Sequence, residues 1–313
     1  MKDLLSIRLK DLGIIRASGA DLRPFLQGQL SGDIGHLSPT AAQISSYNSP
    51  KGRMLAVLTL IDAGDGSILI ELPADLVETT LKRLKMFVLR AKAGLEDVSG
   101  THGSIGLIGS ASAAALDQAG LPCPANPMDS AATAGGIIVL RRHGETPRFS
   151  ITAPLERLAI VDARLSALAT RGSFDDWRRS EIRAGLPVVH AATREHFVPQ
   201  MANLDLFGGI SFDKGCYTGQ EIVARLHYLG QLKRRLYVCR ITGSEVPAAG
   251  SEIRTAGRDA VAGEIVDAVR DGDEGALATA VLQIEAANAG ALRTPSGERV
   301  EILSAPADSA TEA

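Results

Sequence analysis

The sequence predicts an α+β chain closed by a C-terminal antiparallel β-barrel, and three observations carry that prediction. Supersecondary order repeats without sequence identity: strand, helix, strands and helix over residues 12–88 return over 103–168. Beyond Gly230 the texture changes to short alternating runs separated by glycine and Asp-Gly turns, the pattern of a small barrel. Ahead of it stands a glycine-bracketed turn, Gly208 to Glu221, that carries one lysine and one cysteine.

The elements follow in order. Leu12-Gly13-Ile14-Ile15-Arg16-Ala17 reads as a strand, and Leu22, Phe25, Leu26 and Leu30 recur at helical spacing after the cap candidate Asp21. Residues 41–48 and 53–61 form two strands joined by Ser49-Pro50-Lys51-Gly52, and Gly64-Asp65-Gly66 turns into the strand Ser67–Leu72. Pro73 starts a helix whose face is Leu76, Leu81, Leu84, Phe87 and Val88, with Lys82, Arg83 and Lys85 as solvated charge opposite. The second half gives a strand to Ile108, an alanine-rich helix over 111–119, a proline loop holding Cys123, strands over 137–141 and 148–152, and a helix over 155–168. A further helix, Phe174 to Arg183, carries the only tryptophan, Trp177, and stops at Gly185. Residues 188–209 are loop-rich. Strands over 236–241, 252–255, 260–269, 276–282 and 299–303 make the barrel, and the small polar tail from Pro306 reads as disordered. This ordering divides the chain into 1–100, 101–234, 235–305 and the tail 306–313.

Bulk properties exclude several classes. At 313 residues, 45% hydrophobic and 22% charged, the chain has the composition of a globular protein able to bury a large core. A net charge of -3 supplies no global basic field for nonspecific nucleic-acid binding. Three separated cysteines give neither a zinc spacing nor a disulfide framework, which suits a reducing compartment. No signal peptide or membrane span is evident, so a cytoplasmic protein is expected.

Chemistry concentrates in the lysine-cysteine turn. Thr218 and Glu221 have capping-box spacing, and Ile222, Val223, Leu226 and Leu229 follow at helical intervals. Cys216 then sits just outside a helix N-terminus with the Lys214 ammonium two residues away, and both favour a thiolate. Gly215 and Gly219 let the backbone turn tightly and leave room for a ligand. The other reading makes this a strand-to-helix turn in which Cys216 is a small buried hydrophobe. His190, His196 and His227 lie nearby in sequence without an obvious relation to Cys216, which leaves a Cys-His-Asp hydrolase as an alternative reading. Trp177 reads first as core, because an indole buries a large area.

The run Lys214-Gly215-Cys216-Tyr217-Thr218-Gly219-Gln220-Glu221 resembles the signature K-G-C-[FY]-x-G-Q-E of the YgfZ-type folate-binding proteins, relatives of the glycine-cleavage T-protein. The resemblance extends through Ala184-Gly185-Leu186-Pro187, Phe197-Val198-Pro199-Gln200, the segment Gln27-Gly28-Gln29-Leu30-Ser31-Gly32-Asp33 and the turn Lys51-Gly52-Arg53. It implies two ferredoxin-like α+β subdomains and a barrel in a three-lobed, T-protein-like arrangement around a central cavity. It also implies a protein that binds tetrahydrofolate and supports assembly or repair of iron-sulfur client enzymes, with an indirect link to tRNA thiomethylation. Cys216 and Lys214 would be its working pair; Trp177, Gln27, Asp33, Lys51, Arg183, Tyr217, Gln220 and Glu221 would hold the folate. Neither direct nucleic-acid binding nor a membrane is implied. The alternatives are a folate-dependent aminomethyl or methyl transferase and a folate-sensing scaffold without chemistry. Two positions depart from the family pattern. Leu12 stands where an aromatic contacts the folate, and Arg183 where a glutamate accepts hydrogen bonds from the pterin, which arginine cannot do. Glu181 is the nearest acid that would substitute. Arg183 would instead attract the ligand's carboxylates.

Overall fold

The computed structural model describes residues 4–257, 260–272 and 275–304; the tail read as disordered lies outside them. The chain divides into two compact units, one of Met1–Gln29, Asp33–Ile44 and Leu58–Ser180, the other of Leu30–Gly32, Ser45–Val57 and Glu181–Ala313.

The α+β part begins with strands β1 (Leu5–Arg8) and β2 (Leu12–Ser18), helix α1 (Leu22–Gln27), and the hairpin β3 (Gln43–Asn48) and β4 (Met54–Asp62). β5 (Ile68–Pro73), α2 (Val77–Val88), β6 (Gly94–Asp97) and β7 (His102–Ile108) follow. Then come α3 (Ser112–Gln118), β8 (Ser130–Ala132), β9 (Ile138–Arg142), β10 (Arg148–Pro154), α4 (Leu155–Ser166), β11 (Thr170–Arg171) and α5 (Phe174–Arg183). Two sheets result, in the orders β3-β4-β5-β2-β6 and β11-β1-β7-β10-β9-β8. The tip half of the β3–β4 hairpin, residues 45–57, belongs to the second unit.

Within the first unit, Ile14, Ile61 and Leu69 from one sheet share a core with Ile138 and Leu140 from the other. The core also holds a buried ion pair, Arg142 to Glu71. Ser104 and Thr152 donate to the same carboxylate at 3.2 and 2.8 Å, and Arg142 Nε reaches Ser150 Oγ at 2.9 Å. A buried pair so surrounded adds little net stability, but losing one partner strands a charge. On the other face of the second sheet, α3 and α4 cover Ile105, Leu107, Phe149 and Ile151 with Leu116, Leu158 and Leu165. α2 lies close on β2 because Gly13 has no side chain: a Cβ there would fall 2.1 Å from Val77 Cγ2.

Several expectations are corrected here. α1 ends at Gln27, and Leu30 bridges to Tyr47 instead of continuing the helix. Asp21 makes no side-chain cap; its Oδ2 accepts the Lys92 N-H at 2.7 Å. Gly28 closes the helix and has no atom nearer than 3.7 Å to the place of a Cβ, so close packing does not explain it. Phe87 is 40% exposed, leaving Val77, Thr80 and Leu84 as the buried residues of α2. The sequence reading missed β1, whose four residues pair with β7 and β11, more than ninety positions away in the chain.

In the second unit, α6 (Gln220–Leu229) precedes β12 (Arg234–Thr242), β13 (Glu252–Thr255), β14 (Val261–Arg270) and β15 (Gly275–Gln283). α7 (Ile284–Ala289), β16 (Leu292–Arg293) and β17 (Arg299–Ser304) complete it. The strands close as a barrel in the order β12-β15-β14-β13-β16-β17, as expected from the alternation beyond Gly230. Tyr237, Cys239, Ile253, Ile265 and Leu282 share its core. Two-residue β16 and six-residue α7 are too short for periodicity to reveal. Among the described residues, no helix is long and apolar enough to cross a membrane.

Candidate functional site

The lysine-cysteine loop is held on a short inner segment, Leu30–Gly32. Ser31 N-H donates to Ser46 O at 3.0 Å and Gly32 N-H to Ser45 Oγ at 2.8 Å, so the segment lies along β3. Its carbonyls turn the other way. Lys214 Nζ donates to Leu30 O at 2.8 Å and to Gly32 O at 2.7 Å, and Ser211 N-H donates to Ser31 O at 2.9 Å. Ser31 Oγ closes the clasp by donating to Gly209 O at 2.6 Å while accepting from Ser46 N at 2.8 Å. The ammonium is buried and lies 5.2 Å from the Tyr217 ring centroid, where the ring face favours a cation.

The helix after the loop opens differently from expectation. Thr218 and Glu221 form no capping box: the N-cap is Gly219, in the left-handed region at φ 82°, with no side-chain cap bond. The reason is the hairpin tip. A Cβ on Gly219 would meet Ser49 O at 2.5 Å and Gly52 Cα at 2.8 Å, while a Cβ on Gly52 would meet Ile222 Cβ at 2.7 Å. Backbone presses on backbone, and both positions need glycine. Gly215, by contrast, is not in the left-handed region, and the space at its Cβ is open.

Around this clasp several buried polar atoms have no hydrogen-bond partner among the described residues: Asn48 Oδ1 and Nδ2, Ser49 Oγ, Gln200 Oε1 and the Tyr217 hydroxyl. Asn48 is fully buried and Tyr217 is 6% exposed. Native proteins pair nearly all such groups, so the unpaired atoms here, as at Ser6, Gln43 and Thr279 elsewhere in the chain, are where water or a polar ligand completes the set. Burial pushes the Tyr217 phenol up to about 12, so it stays a neutral donor at any working pH. Gln200 keeps its amide N-H on Val223 O at 2.7 Å, which fixes the orientation of its oxygen.

The thiols differ sharply. Cys216 and Cys123 are exposed, whereas Cys239 lies inside the barrel, where burial pushes its thiol up to about 12. The buried-hydrophobe reading of Cys216 is therefore set aside. Since the thiolate is the reacting form, the native protein is expected to show two thiols that react with an alkylating reagent. The third should react only after unfolding, and mass-spectrometric mapping should find it at Cys239. Labelling of Cys239 at the rate of Cys216 in the folded protein would refute this arrangement. Two of the histidines near the motif face the barrel, and the third stacks on the turn itself. His190 and His196 face Asp267 and Glu264 of β14, and His227 stacks on Phe212 with centroids 3.7 Å apart.

Comparison with known proteins settles the family. No family model matches the chain. The "tRNA-modifying protein YgfZ" of Colwellia psychrerythraea is 33% identical over 247 residues, 79% of this chain and 74% of that protein. The protein so named in Yersinia pestis is 33% identical over 252 residues, 80% and 75% of the two chains. The chain belongs to the YgfZ family. Its fold is that of glycine cleavage system aminomethyltransferase T from Bartonella henselae, with a TM-score of 0.78 over 97% of this chain and 86% of that one; at 15% identity the likeness concerns fold alone.

Set against this geometry, the YgfZ signature divides by role. Lys214, Tyr217 and Gln220 act on the loop itself, since Gln220 Oε1 accepts the Tyr217 N-H at 3.2 Å. Glu221 is exposed in the first turn of α6, and Lys51 is exposed at the hairpin tip beside Gly52. Gln27 and Asp33 serve each other: Gln27 Nε2 donates to Asp33 Oδ1 at 2.9 Å, its Oε1 accepts Ile34 N-H at 2.8 Å, and Asp33 caps a short turn through Gly35 N-H. Arg183 reaches Asp271 at 3.2 Å, and its side chain stays largely exposed. Trp177 is only 3% exposed. It packs with Ile7, Leu9 and Ile108, lies directly on Gly106 and sits under the Arg148 guanidinium at 4.9 Å. Sequence reasoning missed Ser31, Asn48 and Gln200. Ser31 and Gln200 lie inside segments it had quoted for the resemblance, and Asn48, directly before the Ser-Pro-Lys-Gly turn, had no signal of its own.

Proposed function

We propose that this YgfZ-family chain binds a reduced folate and that Cys216 acts at that site in support of iron-sulfur client enzymes. The observation that carries the reading is the set of orphaned buried polar atoms about the clasp. A pterin presents an edge of alternating donors and acceptors, and the Asn48 amide offers one of each, with the Tyr217 hydroxyl and Gln200 Oε1 as further partners. Bound folate supplies the one-carbon carrier. Lys51 at the exposed tip suits the carboxylates of the folate's glutamate tail, and so does Arg183 beyond its contact with Asp271. By family resemblance Trp177, Gln27, Asp33, Gln220 and Glu221 complete the folate positions. The exposed thiol of Cys216 is free to meet a client or a cluster passing to it. The two relatives are named for tRNA modification; in this reading the effect on tRNA runs through a cluster-containing modifying enzyme, consistent with a net charge of -3.

The deciding experiment is equilibrium binding of tetrahydrofolate to the wild type and to Asn48→Leu. Removing an amide that serves a ligand should weaken binding about tenfold or more, two hydrogen bonds at roughly 0.5–1.5 kcal/mol each. The same change should leave Tm level or raise it, because an unpaired amide no longer needs burial. Unchanged folate affinity in a stably folded Asn48→Leu protein would sink the folate reading. The thiol is tested separately: in cells lacking the protein, Cys216→Ser should fail to restore the activity of a thiomethylating iron-sulfur enzyme. Full restoration would leave a folate scaffold with no thiol chemistry.

A further inference from the structure

The end of α2 carries a surface that the folate reading leaves unused. From Thr79 to Leu95 the sequence holds Lys82, Arg83, Lys85, Arg90 and Lys92 against no acidic residue, with Glu78 just before this stretch and Glu96 and Asp97 of β6 just after it, in a chain whose net charge is -3. Among them stand Met86, Phe87 and Leu89, which are 57%, 40% and 86% exposed. Lys82, Lys85 and Met86 share one helical face, and Leu89 follows at the next turn as the helix cap. Glu78 begins the same face one turn earlier. Leu89 is held at φ 46° and ψ −103°, a conformation that an L side chain rarely adopts. Backbone strain of this kind tends to gather at functional positions, and here it carries a leucine into solvent beside two other exposed apolar side chains.

We propose that this face docks an acidic amphipathic helix of a partner protein, with Met86 and Leu89 entering its apolar stripe and the cations meeting its carboxylates. Charge complementarity selects the occupant. A second copy of this chain packed about a twofold axis would set these cations against themselves. A lipid surface would receive only three apolar side chains, because the other face of α2 is committed to its own core through Val77, Thr80 and Leu84. A single-stranded nucleic acid is held by stacked rings as well as by cations. Phe87 is the one aromatic here, and the Arg83 guanidinium lies over it at 5.8 Å, so the oligouridine arm of the test decides for or against phosphate binding. Methionine, phenylalanine and arginine together are the composition of protein interfaces.

Fluorescence anisotropy of a labelled synthetic helix tests this, using five turns with leucine at the a and d positions and glutamate elsewhere, titrated with the full chain. The expected result is binding that falls about tenfold in Met86→Ser/Leu89→Ser and becomes insensitive to salt in Lys82→Gln/Lys85→Gln. A scrambled peptide of the same composition, phosphatidylglycerol vesicles and oligouridine should bind several-fold more weakly. Leu89→Gly supplies a readout that a purely structural role would not give: it should raise Tm by relieving the backbone while losing affinity for the helix. Equal binding of the scrambled peptide, wild-type affinity in the folded surface variants, or preference for vesicles or oligouridine overturns the proposal.

Discussion

Lys214→Ala is expected to destabilise the second unit by about 3–5 kcal/mol, lowering the Tm of its transition by roughly 10 °C. The magnitude follows from the clasp. The buried ammonium makes two charge-assisted hydrogen bonds to Leu30 O and Gly32 O, each in the range of about 1.5–3 kcal/mol, and their loss leaves both carbonyls without that donor. Lys214→Met keeps the aliphatic stem and should cost nearly as much, because the stem is not what holds the segment. This outcome separates two roles for the lysine. The sequence placed it beside Cys216 as the cation that activates the thiol; the geometry commits its ammonium to the carbonyls of residues 30 and 32. A Lys214→Met protein whose Tm stays within about 2 °C of wild type, but whose Cys216 alkylates more slowly, would restore the activating role.

Gly219→Ala is the second large effect, at about 3 kcal/mol or more. Two contributions add. An alanine at φ 82° is strained by about 1 kcal/mol. Its Cβ also falls 2.5 Å from Ser49 O and 2.8 Å from Gly52 Cα, and neither backbone atom can move without lifting the hairpin tip from α6. Gly208→Ala is the matched control, since Gly208 has φ 67° and nothing within 4 Å of the place of a Cβ, so it should show the strain alone. Chemical denaturation of the two variants gives the difference directly. Equal destabilisation would mean that the hairpin tip yields at little cost and that the two glycine motifs do not depend on each other.

Much of the fold was legible. Alternation and helical spacing located the long elements, and the turn residues of Ser49-Pro50-Lys51-Gly52 and Gly64-Asp65-Gly66 marked their joints, because these signals are local. The eight-residue run from Lys214 to Glu221 pointed to the YgfZ family. What misled was also local in form. Thr218 and Glu221 have the spacing of a capping box, and Asp21 has the chemistry of an N-cap, yet Gly219 opens α6 under the hairpin tip and Asp21 turns to Lys92. Each local preference, about 1 kcal/mol for a cap, is outweighed by a backbone contact in one case and by a hydrogen bond to a distant backbone N-H in the other.

By itself, the order of residues determined the α+β and barrel architecture, the positions of the longer strands and helices, and the family, since periodicity and a contiguous motif need no knowledge of what lies opposite. Only the tertiary structure decided that Lys214 serves the carbonyls of residues 30 and 32, that Gly52 and Gly219 need each other, and that Asn48 keeps a buried amide without a partner among the described residues. Those facts belong to pairs of segments far apart in the chain. A hydrogen bond or a steric contact has no existence until folding brings both of its members together.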